Sequence, residues 1–338
     1  MRQKTATIQD VARISGVSTA TVSRTLSHPE RVAEATREMV LQAVRQTGYV
    51  ANHMARNLRR RRTGSILALV PNLANPFFSE ILSGLASVLT PAGYGLLIAD
   101  THTDPEGRLA YYLESGIADG LVVFDGTLPA AALAGRQRPP VLLACEWMDD
   151  SLPSVRVDNA EGAAIAIRHL YGMGHRTIGH VTGPAGNVLT ESRLMGMRGA
   201  MADLGLPMRE DWIFRGDFGL ASGSAAAMAW LGLKDRPTAV FCASDEMACG
   251  FIGALQHAGV SVPAEVSVVG FDDIEVVAHL TPALTTIRQP RQLIGRRAAE
   301  MLAAMIDARS LSGPSDLLPV ELIRRQSVTS PPTRGDVA

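Results

Sequence analysis

The sequence predicts a small all-α head of about 60 residues, followed by a larger two-lobed α/β core with parallel sheets. Helical periodicity in residues 7–47 gives way to short apolar runs after residue 63. About ten such runs alternate with helical stretches, which is typical of parallel sheets and too many for one ordinary open sheet. The length of 338 residues also fits two or three domains better than one.

Two short helices joined by a tight turn are predicted near the N-terminus. Thr7 is a candidate N-cap with Asp10 three residues further on, and Gly16 ends the first helix. Ser18 is a second candidate N-cap, followed by a helix over 19–26. This arrangement is typical of a helix-turn-helix, whose second helix enters the major groove of DNA.

A third helix is predicted over about 35–47, ending at Gly48. Apolar residues at helical spacing on the three helices are expected to form the core of the head. They are Ile8, Val11, Ala12, Ile14, Val22, Leu26, Met39, Val40, Ala43 and Val44. A generic three-helix bundle with a polar surface would show the same pattern, so periodicity alone leaves that alternative open.

The charge of the chain is distributed unevenly. Residues 1–62 hold 12 Lys and Arg against 4 Asp and Glu, whereas the remainder holds 20 against 29. A basic head on an acidic core indicates a polyanionic partner for the head. Four consecutive arginines, Arg59 to Arg62, end the head, and they fit either a solvated linker or an arm against nucleic acid.

Several functional classes are excluded by what the sequence lacks. The N-terminus has no apolar signal-peptide core, and no run of about 18 apolar residues could span a membrane. The three cysteines lack metal-ligand spacing, so we expect reduced thiols, a cytoplasmic location and neither metal nor cofactor. Neither a Gly-x-Ser-x-Gly elbow nor a P-loop is present, and His175 and His180 are expected to be packing residues, so we do not expect an enzyme.

The apolar runs of the core define its predicted strands. They are SILALVP, YGLLIAD, GLVVFD, PVLLACE, TIGHVTG, TAVFCAS and VSVVGFDD. Parallel sheets bind ligands at the carboxyl ends of their strands, so a small molecule is expected in the cleft between two lobes.

Motifs in the head resemble one known family. The stretches TIQDVARISGVSTATVSRTL and TREMVLQAVRQTGYVANHMARNL are similar to the DNA-binding head of the LacI/GalR family of bacterial transcriptional regulators. The resemblance continues through VDNAEG, LYGMGHRTIGHVTGP, RPTAVFCASDEMACG, VPAEVSVVGFDDIE and LTPALTTIRQP. It implies a core like that of periplasmic sugar-binding proteins and comes nearest to the purine-repressor branch. Asn187 and Leu189 depart from the polar, base-reading residues of that branch, which argues against a purine corepressor.

The resemblance implies a set of DNA-binding positions. Thr19, Ala20 and Arg24 would face base edges, and Arg24 suits a bidentate contact to guanine. A hinge helix over 52–58 would form on the operator, with Leu58 as a wedge in the minor groove. The full set is Ser18, Thr19, Ala20, Thr21, Ser23, Arg24, Asn52, Ala55, Arg56 and Leu58.

The resemblance also predicts the domain boundaries. These are a head over 1–50, a hinge and linker over 51–63, and an effector-binding and dimerisation core over 64–338. Lobe one would take about 64–160 and 290–321, and lobe two about 161–289 and 322–330. The three crossings between lobes are predicted near 159–162, 287–290 and 321–324.

Ligand-facing positions follow from the same resemblance. Phe78 and Phe218 could stack on a flat ligand, while Arg193 donates to hydroxyls or a carboxylate and Asp272 accepts from hydroxyls. The alternative is that the phenylalanines are core residues and that Asp245, Asp272 and Asp273 only cap helices. The full set is Asn75, Phe77, Phe78, Asp158, Arg193, Phe218, Asp245, Asp272 and Gln289.

Together these features predict a ligand-responsive transcriptional regulator, acting as a repressor. Its expected partners are double-stranded operator DNA with a pseudo-palindromic sequence, a small-molecule effector such as a sugar or sugar acid, and a second copy of the chain. No heptad repeat follows residue 328, which favours a homodimer over a tetramer. A solute-binding protein is the main alternative, and the basic head argues against it.

Overall fold

The structure is a computed structural model that describes residues 6–49, 62–102, 111–113, 115–129, 133, 138–148 and 151–332. The chain divides into two compact units, Met1–Gly64 and Ser65–Ala338. Within the described residues, no helix is both long and apolar enough to cross a membrane.

The head contains three helices within its described residues, α1 (Ile8–Ser15), α2 (Thr19–Ser27) and α3 (Glu34–Thr47). Thr7 and Asp10 form a reciprocal capping box at α1, and Gly16 ends it with a left-handed φ of 68°. Ser18 caps α2 by accepting a hydrogen bond from the backbone N–H of Thr21 at 3.1 Å. The predicted helix-turn-helix is therefore present.

The core of the head is smaller than predicted. Val11, Val22, Val40 and Ala43 are its buried centre, with Ile8, Ala12, Leu26 and Val44 packed around them. The prediction is wrong for Ile14 and Met39, which are 45% and 47% exposed. Both positions lie at the edge of the apolar face of their helix, and their side chains are exposed to solvent in the folded head.

The second unit contains two six-stranded sheets in its described residues. The twelve strands are β1 (Ser65–Val70), β2 (Gly95–Asp100), β3 (Gly120–Val123), β4 (Val141–Ala144), β5 (Ser154–Val157), β6 (Ile178–Val181), β7 (Ile213–Phe214), β8 (Ala239–Cys242), β9 (Ser267–Asp272), β10 (Thr285–Arg288), β11 (Asp316–Leu318) and β12 (Glu321–Ile323). The first sheet has the order β11-β5-β4-β3-β1-β2 and the second β12-β10-β9-β8-β6-β7. Every pairing is parallel except that of β10 with β12.

Helices cover both sheets, as parallel strands require. They are α4 (Phe77–Leu89), α5 (Asn159–Gly172), α6 (Val188–Asp203), α7 (Leu220–Gly232), α8 (Asp245–His257) and α9 (Arg291–Ala308). The closest packed pairs are α4 with α9, α5 with α6, and α7 with α8. Strands β1, β3, β4, β6, β8 and β9 are almost wholly buried, which explains their continuous apolar sequences.

The chain passes three times between the sheets, so the second unit has two lobes. It leaves the first sheet after Val157, returns between Arg288 and Arg291 at the start of α9, and crosses again between Leu318 and Glu321. The first two crossings were predicted near 159–162 and 287–290. The third was predicted at 321–324 and lies about three residues earlier, because Glu321 already pairs with Arg288 in the second sheet.

Candidate functional sites

Helix α2 presents a polar, exposed surface. Ser18, Thr19, Ala20, Ser23 and Arg24 are exposed, and Thr21 is half-buried. Val22 is fully buried on the opposite side and anchors the helix in the head. The outward face therefore carries short side chains and one guanidinium, which suits contact with base edges and phosphates. The other predicted DNA-binding positions, Asn52, Ala55, Arg56 and Leu58, lie outside the described residues.

A cavity of about 560 Å³ lies between the two lobes, at the carboxyl ends of the strands. This volume is in the range of small-molecule sites. The first lobe contributes Pro71, Asn72, Asn75, Phe77, Phe78, Thr101, His102, Phe124, Asp125, Thr127, Cys145 and Glu146. The second lobe contributes Pro184, Asn187, Leu189, Arg193, Asp217, Phe218, Gly219, Ser244, Glu246 and Asp272.

Six of the nine predicted effector residues line this cavity: Asn75, Phe77, Phe78, Arg193, Phe218 and Asp272. Asn75 also shapes the loop, since its Oδ1 accepts the backbone N–H of Phe77 at 2.8 Å. Phe218 has a left-handed φ of 71°, and its ring lies 5.7 Å from the Arg193 guanidinium carbon. The sequence thus located both walls of the cavity.

Asp158, Asp245 and Gln289 do not line the cavity. Asp158 caps α5 by accepting the backbone N–H of Glu161 at 2.9 Å. Asp245 is fully buried and accepts from the backbone N–H of Ile274, while Gln289 donates to Asp272 Oδ1 at 2.7 Å. Asp158 is therefore a helix cap, a role that the sequence analysis did not consider for it. The capping alternative is wrong for Asp245, because Ser244 is the N-cap of α8 and Asp245 is its first residue.

Arg193 is embedded in the second-lobe wall. Its side chain is 2% exposed, its Nε donates to Asn159 Oδ1 at 2.9 Å, and its Nη1 donates to the backbone oxygen of Ala243. Its Nη2 lies 3.9 Å from Asp272 Oδ1. Burial lowers the pKa of Arg193 and the carboxylate of Asp272 opposes this, so the guanidinium stays charged.

One hydrogen bond joins the lobes across the cavity. Asn187 Nδ2, at the start of α6, donates to Glu146 Oε1 of the first lobe at 3.1 Å. The other Glu146 oxygen accepts the backbone N–H of Gly126 at 2.7 Å. Burial raises the pKa of Glu146, and these two hydrogen bonds counteract the rise.

Comparison with known proteins identifies the family. The model described as bacterial regulatory proteins, lacI family, matches residues 7–52, and a periplasmic binding protein-like domain matches residues 167–328. The HTH-type transcriptional repressor CytR of Escherichia coli (strain K12) is 38% identical over 336 residues, which cover 98% of each chain. The chain belongs to the LacI family.

Other LacI-family members agree in sequence and structure. The transcriptional repressor PurR of Photobacterium profundum is 36% identical over 96% of this chain and 98% of its own. The Lac repressor bound to ONPG in the repressed state matches with a TM-score of 0.83 and 28% identity, over 96% of this chain and 100% of that one. The CelR–cellobiose complex matches with a TM-score of 0.74 and 30% identity, over 95% and 99%.

These relatives are repressors, so the prediction of a transcriptional regulator with a DNA-binding head is confirmed. The LacI family consists of regulators and not of enzymes, which agrees with the absence of catalytic motifs in the sequence. The histidines were also interpreted correctly. His175 and His180 are fully buried, the first bonded to Thr238 and Thr329 and the second to the backbone oxygen of Phe241.

Several residues of the cavity of this LacI-family chain were missed by the sequence analysis. They are Asn72, Thr101, His102, Asp125, Thr127, Glu146, Asp217, Ser244 and Glu246. Most follow directly after a strand, as in VPN, ADTH, FDGT, ACE and ASDE. A consistent search for polar residues after each apolar run would have found them, because parallel strands end at the same edge of a sheet.

Proposed function

We propose that this chain represses transcription as a homodimer on a pseudo-palindromic operator and responds to a small molecule that binds between its core lobes. The observation that carries the proposal is the presence, in one chain, of a helix-turn-helix with a polar exposed α2 and a ligand-sized cavity. The Lac repressor is known as a dimer bound to operator and anti-inducer, and CelR as a cellobiose complex, which supports both halves of the proposal.

The proposed mechanism couples two binding sites through the relative position of the lobes. Asn187 and Glu146 join the lobes at the cavity, and Gln289, at the second crossing, holds Asp272 at the cavity wall. An effector that binds these side chains would favour one lobe arrangement over another. In the proposal that arrangement sets operator affinity, which is allosteric coupling in the thermodynamic sense.

DNA binding is tested by selecting preferred sites from random duplexes with the full-length protein. We expect an inverted repeat, because two identical heads read two half-sites. Arg24→Ala should then weaken binding to the selected site by ~1–3 kcal/mol and relax preference at one base position of each half-site. Arg168→Ala, an exposed arginine of the core that pairs with Glu161, is the control for loss of one positive charge.

The proposal fails at distinct points. If the Arg24→Ala variant keeps the base preference of the native protein, α2 is not the recognition helix. A selected site without two-fold symmetry would contradict the proposal that the chain binds DNA as a homodimer. If no small molecule from a broad screen both binds the full-length protein and changes its operator affinity, the effector half of the proposal is wrong.

A further inference from the structure

The lining of the cavity is strongly acidic. Among its described residues it holds five carboxylates, from Asp125, Glu146, Asp217, Glu246 and Asp272, and a single guanidinium, from Arg193. A ligand that enters the cavity meets this excess of negative charge at close range, where water screens it less than at the surface.

The one guanidinium among these lining residues is already engaged. Arg193 donates to Asn159 and Ala243, faces Asp272, and stacks with its guanidinium carbon 3.8 Å from the ring centre of Phe271. Its charge is balanced mainly by Asp272, which is also bonded to Gln289. The described lining residues therefore include no second guanidinium or ammonium group that could bind a carboxylate or phosphate of a ligand.

Two of the other carboxylates, Asp125 and Glu146, accept hydrogen bonds from neutral groups. Asp125 accepts from the Thr101 hydroxyl and from the backbone and hydroxyl of Thr127. Glu146 accepts from Gly126 and Asn187. Within the described part of the chain neither forms an ion pair, although Asp125 is 5% and Glu146 9% exposed. Buried carboxylates without a cationic partner are costly, and a bound cation removes that cost.

The remaining surface of the cavity suits an organic cation. Phe77, Phe78, Phe124 and Phe218 line it, and aromatic faces attract ammonium groups in addition to covering apolar atoms. Asn72, Thr127 and Ser244 add neutral polar side chains that can bind hydroxyls.

A buried hydroxyl lies next to one of the aromatic rings that line the cavity. Thr190, on α6 between Leu189 and Arg193, is 4% exposed, and its Oγ1 has no hydrogen-bond partner among the described residues. Both this oxygen and the ring of Phe218 closely flank Gly183, so the hydroxyl lies against a ring that lines the cavity. A ligand that displaces this ring gains an acceptor there.

From these observations we infer that the effector is a polyhydroxylated small molecule that carries a protonated amine, bound with the amine against Asp125 and Glu146. Its hydroxyls lie toward Arg193 and Asp272. Sugar acids, sugar phosphates and nucleotides carry negative charge, which the same carboxylates repel, so the inference favours an amine over the sugar acid expected from the sequence. The inference rests on the proposed function, since it specifies the ligand of the same cavity.

The test is a thermal-shift and calorimetric screen of the full-length protein with matched triplets. Each triplet presents one polyol scaffold as an amine, an alcohol and a carboxylate, beginning with glucosamine, glucose and glucuronate and with their galactose counterparts. We expect the tightest ligand to be an amine, bound at least tenfold more tightly than its alcohol analogue, and no saturable binding by the carboxylates.

Variants then locate the amine. Asp125→Asn and Glu146→Gln should each weaken binding of the amine at least tenfold more than they weaken binding of its alcohol analogue. Asp316→Asn, whose carboxylate pairs with Arg297 away from the cavity, is the matched control for loss of one negative charge. If one of the two variants fails to fold, the other variant decides the test, because the inference places both carboxylates against the amine.

The outcomes separate the two proposals. A tightest ligand that is neutral or anionic overturns the inference and leaves the proposed function in place. An amine whose affinity is unchanged by Asp125→Asn and by Glu146→Gln also overturns it, since the amine then binds elsewhere. A screen in which no member of any triplet binds contradicts the inference alone, because the effector half of the proposed function is tested by the broad screen of small molecules.

Discussion

The role of Arg193 in the cavity depends on the residues that it already contacts. A single guanidinium in TESRLMG indicates a hydrogen-bond donor to a ligand, and the side chain does line the cavity. Its main partners, Asn159 and Ala243, are 34 and 50 residues away along the chain. Sequence patterns relate residues on the same helix or strand, and they do not predict contacts between residues so far apart in the chain. The hydrogen bonds of Arg193 to Asn159 and Ala243 are therefore known only from the structure.

Another residue-scale feature is the buried imidazole of His180. Its ring stacks on Phe241 with 4.8 Å between ring centres, and its Nε2 has no hydrogen-bond partner among the described residues. Burial lowers the pKa of His180 to about 4, with the hydrogen bond to the backbone oxygen of Phe241 opposing the shift. The folded chain therefore keeps this ring neutral at a pH at which the unfolded chain protonates it.

The pH dependence follows from that difference. Between about pH 6.5 and pH 4 the unfolded state binds more protons at this position, so the free energy of unfolding falls as the pH is lowered. Burial raises the pKa of Asp272 to about 6, which acts in the opposite direction over part of the same range. The contribution of His180 is therefore measured by comparison with His180→Gln, which removes the titrating group.

We expect the stability advantage of the native protein over His180→Gln to shrink by roughly 3 kcal/mol between pH 7.5 and pH 4. Urea unfolding followed by circular dichroism at several pH values measures it. His257→Gln, at an exposed position, is the matched control. A constant difference between the native protein and His180→Gln over this range would contradict a buried neutral imidazole.

At the scale of elements, the sequence named seven strands, β1 to β4, β6, β8 and β9, and missed β5, β10 and the still shorter β7, β11 and β12. β1, β3, β4, β6, β8 and β9 are continuous apolar runs, because both faces of a parallel sheet are covered. β7 has two residues, and β11 and β12 have three each, which is too short for any periodicity to be read. Their positions are set by pairing with neighbouring strands, which is a tertiary effect.

Close contact between α5 and α6 depends on one glycine. A Cβ at Gly196 would overlap the backbone oxygen of Ala160, whereas a Cβ at Gly199, on the same helix, would meet nothing within 4 Å. We therefore expect Gly196→Ala to lower the free energy of unfolding by about 1–3 kcal/mol, because backbone has to shift. Gly199→Ala should raise it by roughly 0.5–1 kcal/mol through helix propensity.

Equilibrium denaturation of the two variants side by side decides this prediction. Both substitutions replace glycine by alanine in α6, so the higher helix propensity of alanine alone would stabilise both variants. Equal effects of Gly196→Ala and Gly199→Ala would show that α5 and α6 are not in backbone contact at Gly196.

At the scale of the whole molecule, Asp273 ties the crossings between lobes together. Its carboxylate accepts from Arg288 Nε at 2.7 Å and from Arg325 Nη2 at 2.6 Å, and its backbone oxygen accepts from Arg291 at 2.8 Å. Arg288 and Arg291 flank the second crossing, and Arg325 follows the third. Asp272 and Asp273 both have positive φ, of 123° and 57°, a conformation that non-glycine residues adopt only when their surroundings impose it.

Asp273→Asn removes the charge and keeps the shape and the tolerance of positive φ. We expect it to lower the free energy of unfolding by about 2 kcal/mol, less than for a fully buried pair because Arg288 is half-exposed. Asp316→Asn, in an ion pair that is more exposed, should cost at most about 1 kcal/mol. Chemical denaturation compares them, and an equal loss in both variants would show that the Asp273 cluster is no more than a surface ion pair.

The third crossing has a consequence for synthesis of the protein on the ribosome. The first sheet ends with β11 and the second with β12, and together these strands occupy residues 316–323 of 338. Neither lobe can complete its sheet until residues 316–323 have been translated, whereas the head has all its described helices by residue 47. During synthesis of residues 65–315 the helices of the head are thus already complete in sequence, while each sheet still lacks at least one strand.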